Sequence, residues 1–305
     1  MAVLERTYKQ YDGRLTAEWR RFLIIPQHAY VDVFRSKLFT AFFALSFLYP
    51  LVCSILIYLH HNANILGIKG LDVQQLLPID ATFFKFYVAW QGITGFFLVM
   101  LVGPQQVARD LTNNGLPLYL CRPFSRTEYV VGKMSIVIIL LSAITWAPGL
   151  LLFLFQGYLE GWSWFAENIW MAGAIFLGSL VWILVLALLS QAISAWVRWR
   201  VAARAALLGV FFIPTAFAEI VNQMFQTRWG HIIDLRALIA NVWAGLFGLF
   251  VRQTGDIQEY RNGRIVREVI MNEPPLWASW FALFLICALC LWLLSRKVKA
   301  YEVVK

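Results

Sequence analysis

Apolar and polar stretches alternate along this chain with long periods. Six segments, 38–59, 86–103, 134–156, 168–197, 201–226 and 274–295, are predominantly apolar and nearly free of charge. About 20 such residues suffice for a helix to cross a bilayer, and a helix satisfies every backbone N–H and C=O internally, as hydrocarbon demands. The pattern therefore predicts an all-α polytopic membrane protein with six transmembrane helices. A seventh apolar run, 237–251, is shorter than a span and follows His231, Asp234 and Arg236. A crossing there would also throw the basic C-terminal tail to the side opposite the other basic segments. The stretch 231–250 is thus expected to form an interfacial or re-entrant helix on the outer side.

Before the first span, Leu15, Trp19, Phe22 and Leu23 recur at helical spacing among Arg14, Glu18, Arg20 and Arg21, and Pro26 is expected to end the run. Such an amphipathic helix lies in the plane of the membrane surface. The chain thus divides into a segment 1–37 with an interfacial helix and a membrane domain 38–305. Within the latter, a polar loop occupies 105–133 and an extracytoplasmic cap occupies 227–273, between spans five and six. Asn262-Gly263, between two short β-prone runs of the cap, signals a type I′ hairpin. Pro148-Gly149 in span three and Pro214 in span five predict kinks. Gln91, Gly92, Thr94 and Gly95 in span two, and Ala174 with Gly178 and Ser190 with Ser194 in span four, offer small faces for close helix packing.

Composition agrees with the pattern: apolar residues make up 60% of the chain, charged residues 14%, and mean hydropathy is +0.66. A soluble domain carries about 25% charged residues. Most of the 26 lysines and arginines fall before span one, in the 105–133 loop, at 198–204 and after span six. The positive-inside rule makes that face cytoplasmic, with both termini inside a cell (plasma or inner) membrane. The net charge of +9 then reflects orientation and anionic lipid, not nucleic acid. No short apolar region with a cleavage site precedes span one, so a cleaved signal peptide is not expected. Trp162, Trp164, Trp170, Trp196, Trp199, Trp277 and Trp280 flank spans, as interfacial belts do. Cys53, Cys121, Cys287 and Cys290 form no disulfide framework and are expected to pack as small side chains.

Enzyme chemistry finds few of its groups here. The Gly132-Lys133 pair lacks the first glycine and the Ser or Thr of a P-loop, so the chain is not expected to bind ATP in that way. Neither H-E-x-x-H nor G-x-S-x-G is present, and His28, His60, His61 and His231 all lie outside the middles of the spans. No catalytic, metal or cofactor site is expected in this chain. One carboxylate does fall within a span: Glu219, followed by Asn222, Gln223 and Gln226 at helical spacing. An ionised side chain at mid-bilayer costs about 2.5 to 3.5 kcal/mol on insertion scales. The four are therefore candidates for a polar path lining, with a helix end at the membrane interface as the competing explanation.

The densest set of local signals lies in the 105–133 loop, QQVARDLTNNGLPLYLCRPFSRTEYVVGK. An Asn113-Asn114-Gly115 turn follows a helical run bearing Arg109 and Asp110, and Arg122-Pro123 ends the next segment. Ser125 and Glu128 then form an S-x-x-E capping box that starts a helix continuing into span three. The stretch LYLCRPFSRTEYVVGK resembles the segment after the second span in membrane (permease) subunits of type-2 ABC exporters. The likeness is close over about 25 residues and elsewhere rests on the spacing of apolar segments. In that family the loop carries a coupling helix that rests on a separate ATPase subunit. The resemblance implies a contact region of Arg109, Asp110, Arg122, Arg126, Tyr129 and Lys133, a dimer of two permease subunits, homo- or heteromeric, and two ATPase subunits. ATP and Mg would then be bound by the partner, and the chain itself would be a transport subunit and no enzyme. A non-transporting membrane scaffold and a membrane-embedded enzyme are the alternatives.

Overall fold

The computed structural model describes residues 22–62, 78–113, 125–197, 199–225, 227–249, 255–261, 264–271 and 274–297. Among these, six helices are long and apolar enough to cross a membrane: Lys37–His61, Ala81–Ala108, Arg126–Glu160, Trp162–Trp196, Arg200–Phe225 and Leu276–Lys297. The protein is a helical bundle, consistent with a polytopic membrane protein.

Helix α1, Ile24–Phe34, precedes the first span. Pro26 does not end a helix, as the sequence pattern suggests, but sits in the first turn of this one. A first-turn N–H has no helical partner, so proline is tolerated there. Leu15 and Trp19 lie outside the described residues. Helix α1 rests on the span-three helix so closely that a Cβ on Gly132 would come within 2.8 Å of the Phe22 carbonyl and of Ile25. The Tyr30 hydroxyl donates to the carbonyls of Ser135 and Ile136, at 3.4 and 3.3 Å.

Burial pushes the Tyr30 phenol up to about 12 from its ordinary 10. The folded state therefore favours the neutral phenol. The resulting stability is full below pH 10 and is lost as pH rises from 10 through 12. Thermal unfolding in detergent across this window should show a downward slope that Tyr30→Phe flattens. An equal slope in both proteins would assign it to other groups.

Two prolines break the spans in which they sit, and span two secures both breaks. Span one is α2, Lys37–Leu45, followed by α3, Leu48–His61. Pro50 has no N–H to give the Ser46 carbonyl four residues back. The missing donor comes from Gln91, whose Nε2 reaches that carbonyl at 3.0 Å. Gln91 belongs to α4, Ala81–Val102, which the Asp80 side chain caps by accepting from the N–H groups of Thr82 and Phe83. The expected break at Pro148 divides span three into α6, Arg126–Ile144, and α7, Trp146–Glu160, α5 being the short helix Gln106–Thr112. One turn from Gln91, the Tyr87 hydroxyl donates to the Thr145 carbonyl at that second break, at 3.0 Å.

Helix α8, Trp162–Trp196, is apolar on all sides and forms the centre of the bundle, with α4, α6 and α7 around it. The most apolar window of α8 is 61% buried, against 22% for both span one and α9, Arg200–Phe225. The outer faces of span one and α9 carry exposed Leu38, Leu51, Phe212, Ile213 and Phe217, as helices facing lipid or another subunit do. Pro214 leaves α9 unbroken, although Val210 loses its helical donor there.

Between α9 and the last span, α11, Leu276–Lys297, lies α10, Leu235–Leu246, an apolar helix of 12 residues. It does not cover the surface of the bundle but enters it. Trp243 of α10 donates from its indole to the Gly178 carbonyl at 2.9 Å, near the middle of α8. A Cβ on Gly92, near the middle of α4, would meet the same indole at 2.9 Å. The small positions Gly92 and Gly178 thus admit a tryptophan where the sequence pattern suggests helix-on-helix contact. A two-stranded antiparallel ribbon follows, β1 Gly255–Arg261 and β2 Arg264–Met271. Arg261 pairs with Arg264, leaving two residues to connect the strands, and the register slips between Glu259 and Tyr260. The connecting Asn262 and Gly263 lie outside the described residues.

Candidate functional site

The strongest polar cluster lies at the end of the bundle where α4, α8 and α11 finish and α6 and α9 begin, the end rich in Lys and Arg. There α5 follows α4 through a single 3-10 turn, Gly103–Gln105, and its first amides find their acceptor on α8: Ser194 Oγ accepts from the N–H groups of Val107 and Ala108, each at 3.0 Å. The same hydroxyl donates to the Pro104 carbonyl at 3.1 Å. Gly103 permits the approach, since a Cβ there would lie 2.7 Å from Ser190. Ser190 is thus the small packing residue its spacing suggests, whereas Ser194 acts as a helix cap borrowed from another span.

Pinned in this way, α5 directs Asp110 at α6. Asp110 Oδ2 lies 2.8 Å from Lys133 Nζ and accepts from the Tyr129 hydroxyl at 2.7 Å. Gln191 of α8 closes the network, donating from Nε2 to Gln106 Oε1 at 2.5 Å and to the Lys133 carbonyl at 3.2 Å. Tyr129 is fully buried and Lys133 is 8% exposed. Helices α5, α6 and α8 are therefore joined by one buried, charge-assisted network, the kind of link that fixes geometry more than it adds stability. The capping box is present as its motif predicts: Ser125 N–H donates to Glu128 Oε2 at 2.6 Å, and Glu128 N–H to Ser125 Oγ at 3.1 Å.

The six residues of the expected contact region are separated by this arrangement. Arg126 is exposed at the first position of α6. Asp110, Tyr129 and Lys133 come together inside, where Tyr129 and Lys133 hold the loop to span three instead of presenting a surface. Charge alone suggests an exposed lysine, but a carboxylate from α5 neutralises it. Arg109 lies on α5, of which only the backbone is described at that position, and Arg122 lies outside the described residues.

The four residues expected to line a path also divide. Glu219 and Gln223 are exposed, whereas Asn222 is buried and accepts from the Gly230 N–H at 2.8 Å through Oδ1. Gln226 lies outside the described residues. Asn222 thus tethers the chain as it folds back along α9 toward α10. The descent ends at Asp234, whose carboxylate caps α10 by accepting from Arg236 N–H at 2.9 Å and also accepts from Thr215 Oγ1 at 2.8 Å. Arg236 Nε donates to the same hydroxyl at 3.0 Å, and its guanidinium lies over Phe212 at 5.6 Å.

Thr215 stands ten residues before the end of α9, so this cluster lies about 15 Å along the helix from that end. That is about half the thickness of a bilayer's hydrocarbon core. Asp234 is 4% exposed, but the Arg236 side chain is 48% exposed. Phe212, Glu219 and Gln223 follow one another along one side of α9 by their helical spacing, so Arg236 extends an exposed polar strip that begins with Glu219. The Arg236 and Asp234 contribution is invisible to spacing within span five, because it arrives from a helix outside the span.

Set against known proteins, the chain matches no family model and no curated protein. Among the described residues no three His, Cys, Asp or Glu side chains gather as metal ligands would. Of the described cysteines, Cys53 and Cys290 are buried and Cys287 is half-buried, and all three are free thiols.

Proposed function

We propose that this chain is the permease subunit of a type-2 ATP-binding-cassette exporter, coupled to a separate ATPase subunit and paired with a second permease. The observation that carries the reading is the Asp110–Lys133–Gln191 network. A partner pressing on the loop between spans two and three would bear on α5, which is bonded to both α6 and α8, so the push would move two spans as one body. Arg126, exposed beside the capping box, is the described residue best placed to meet such a partner. ATP and Mg would belong to the ATPase, and the permease would catalyse no covalent step.

The basic end would face the cytoplasm of a cell membrane. The strip of Arg236, Glu219 and Gln223 would face water or the second permease, because charged side chains exposed to lipid at this depth are costly. A substrate passing that strip would meet both signs of charge.

Purification from native membranes tests the reading: an ATPase should co-elute, and Arg122→Ala with Arg126→Ala should loosen it while thermal unfolding of the bundle stays unchanged. Single changes at such a rim act mainly on encounter rate, so the double variant is the informative one. Elution without any ATPase would favour the scaffold reading. In a cysteine-free background, a cysteine at Asn262 should react with an impermeant thiol reagent applied from outside and one at Lys299 should not. The reverse labelling would overturn the orientation.

A further inference from the structure

At the basic end, a cavity of about 760 Å³ opens between α1, the start of α2, the end of α4, the middle of α6 and the first turns of α9. A volume of this order holds a small ligand or a lipid headgroup. Its lining is divided by chemistry. Phe39, Leu101, Val102 and Ile136 are contributed by three membrane-crossing segments, whereas Arg200, Arg204 and His28 supply basic groups. Two carboxylates also line it, and both are engaged: Asp110 with Lys133 and Tyr129, and Asp32 with Arg35 at 3.7 Å.

The arginines are not so engaged. Arg200 and Arg204 stand one helical turn apart on the same face of α9, and neither has an ion-pair partner among the described residues. Arg204 Nε is buried with no hydrogen-bond acceptor. Two guanidinium groups one turn apart on the wall of a cavity, neither paired with a carboxylate among the described residues, suit an anion that bridges them.

We infer that this cavity binds the headgroup of an anionic phospholipid, its phosphate on Arg200 and Arg204 and an acyl chain along Phe39 and Leu101. The apolar half selects a lipid over a free phosphate. The cavity sits where α2, α4 and α9 all reach their basic ends, the level at which headgroups of one leaflet meet a spanning protein. Basic pockets between spans on the cytoplasmic side recognise such headgroups by the same chemistry. The lipid would also brace α1, which roofs the cavity, against α6. The inference stands without the exporter reading, since it needs no ATPase and no transport.

The test uses the purified full chain in neutral detergent with three probes: phosphatidylglycerol, phosphatidylcholine and glycerol 3-phosphate. Native mass spectrometry and thermal unfolding are read together. Phosphatidylglycerol should remain bound and raise the unfolding temperature by several degrees, and the other two should not. Arg200→Gln with Arg204→Gln should reduce the preference for phosphatidylglycerol over phosphatidylcholine by about tenfold, the scale of losing charge-assisted bonds to phosphate. Arg296→Gln with Lys297→Gln, which removes two cations at the same end outside the cavity, should leave the preference intact.

Leu101→Trp, which fills the apolar half and spares both arginines, should also abolish the preference. That variant keeps the inference testable if the double glutamine variant folds poorly. Equal binding of the two lipids, an equal loss in the Arg296 and Lys297 variant, or no loss in either cavity variant would overturn it. An effect of glycerol 3-phosphate matching that of phosphatidylglycerol would replace the lipid with a free phosphate.

Discussion

Trp243→Ala is expected to destabilise the protein by about 3 to 5 kcal/mol, the usual cost of emptying a large buried aromatic site. The indole is 8% exposed and fills the space left by two missing side chains, at Gly92 and Gly178. It also packs edge-on against Trp182, with ring centroids 6.0 Å apart, and Trp182 in turn donates to the Gly92 carbonyl at 2.9 Å. Removing Trp243 leaves the Gly178 carbonyl without its indole donor as well as a void between α4 and α8. Because α10 is held by its inward face, the variant should release that helix before the spans separate. A cysteine replacing Val242, which is fully buried, should then react with a water-soluble maleimide in the Trp243→Ala background and resist it otherwise. Unchanged labelling together with an unchanged unfolding temperature would show that α10 is held by other means.

Asp110→Ala is expected to cost about 3 kcal/mol, the lower end for breaking a buried ion pair. The Lys133 side chain is 10% exposed and that of Asp110 16%, so solvent screens their attraction little. The substitution also removes the carboxylate that accepts from the buried Tyr129 hydroxyl. Asp110→Asn keeps an acceptor and should cost less. Replacing the pair together, Asp110→Leu with Lys133→Met, should recover much of the loss, since apolar pairs of similar volume often match a buried ion pair in stability. Under the proposed function that double variant gives the decisive comparison: a stable bundle whose loop has lost its charge-assisted register. Thermal unfolding supplies the stability, and ATP hydrolysis measured against transport supplies the coupling. A loss below about 1 kcal/mol for Asp110→Ala would mean that the pair is screened despite its burial.

The parts of the fold legible in the sequence are those determined by neighbours along the chain. Span positions follow from local apolarity, the capping box from residues three apart, and the shortness of α10 from the length of its run. The parts that escape depend on partners brought from afar. Pro50 lies in a run that hydropathy treats as uniform, and the group that secures its break, Gln91, is 45 residues from the carbonyl it satisfies. Lys133 looks like a surface charge until Asp110 is brought to it. Asn222 shares a helical stripe with Glu219, but 3.6 residues per turn sets it toward the stripe's edge, where the returning chain covers it. Ser194 looks like a small residue for packing because its amide partners belong to a different span.

Helix α8 has 35 residues, which at 1.5 Å each gives a rod of about 52 Å, some 20 Å longer than a hydrocarbon core of about 30 Å. Its basic end is anchored: the Trp196 indole donates to the Leu293 carbonyl at 3.2 Å, and Lys297 lies over its ring. At the other end, Trp162 and Phe165 stack at the corner with α7. A rod of this length magnifies rotation: pivoting it by about 5° at Trp196 would sweep the Trp162 rim through about 4.5 Å, somewhat less than one helical pitch. Such a swing would also carry Gly178 more than about 2 Å from its place, so the Trp243 and Trp182 bonds at the middle of α8 hold the rod against it and would have to repack for the far rim to move.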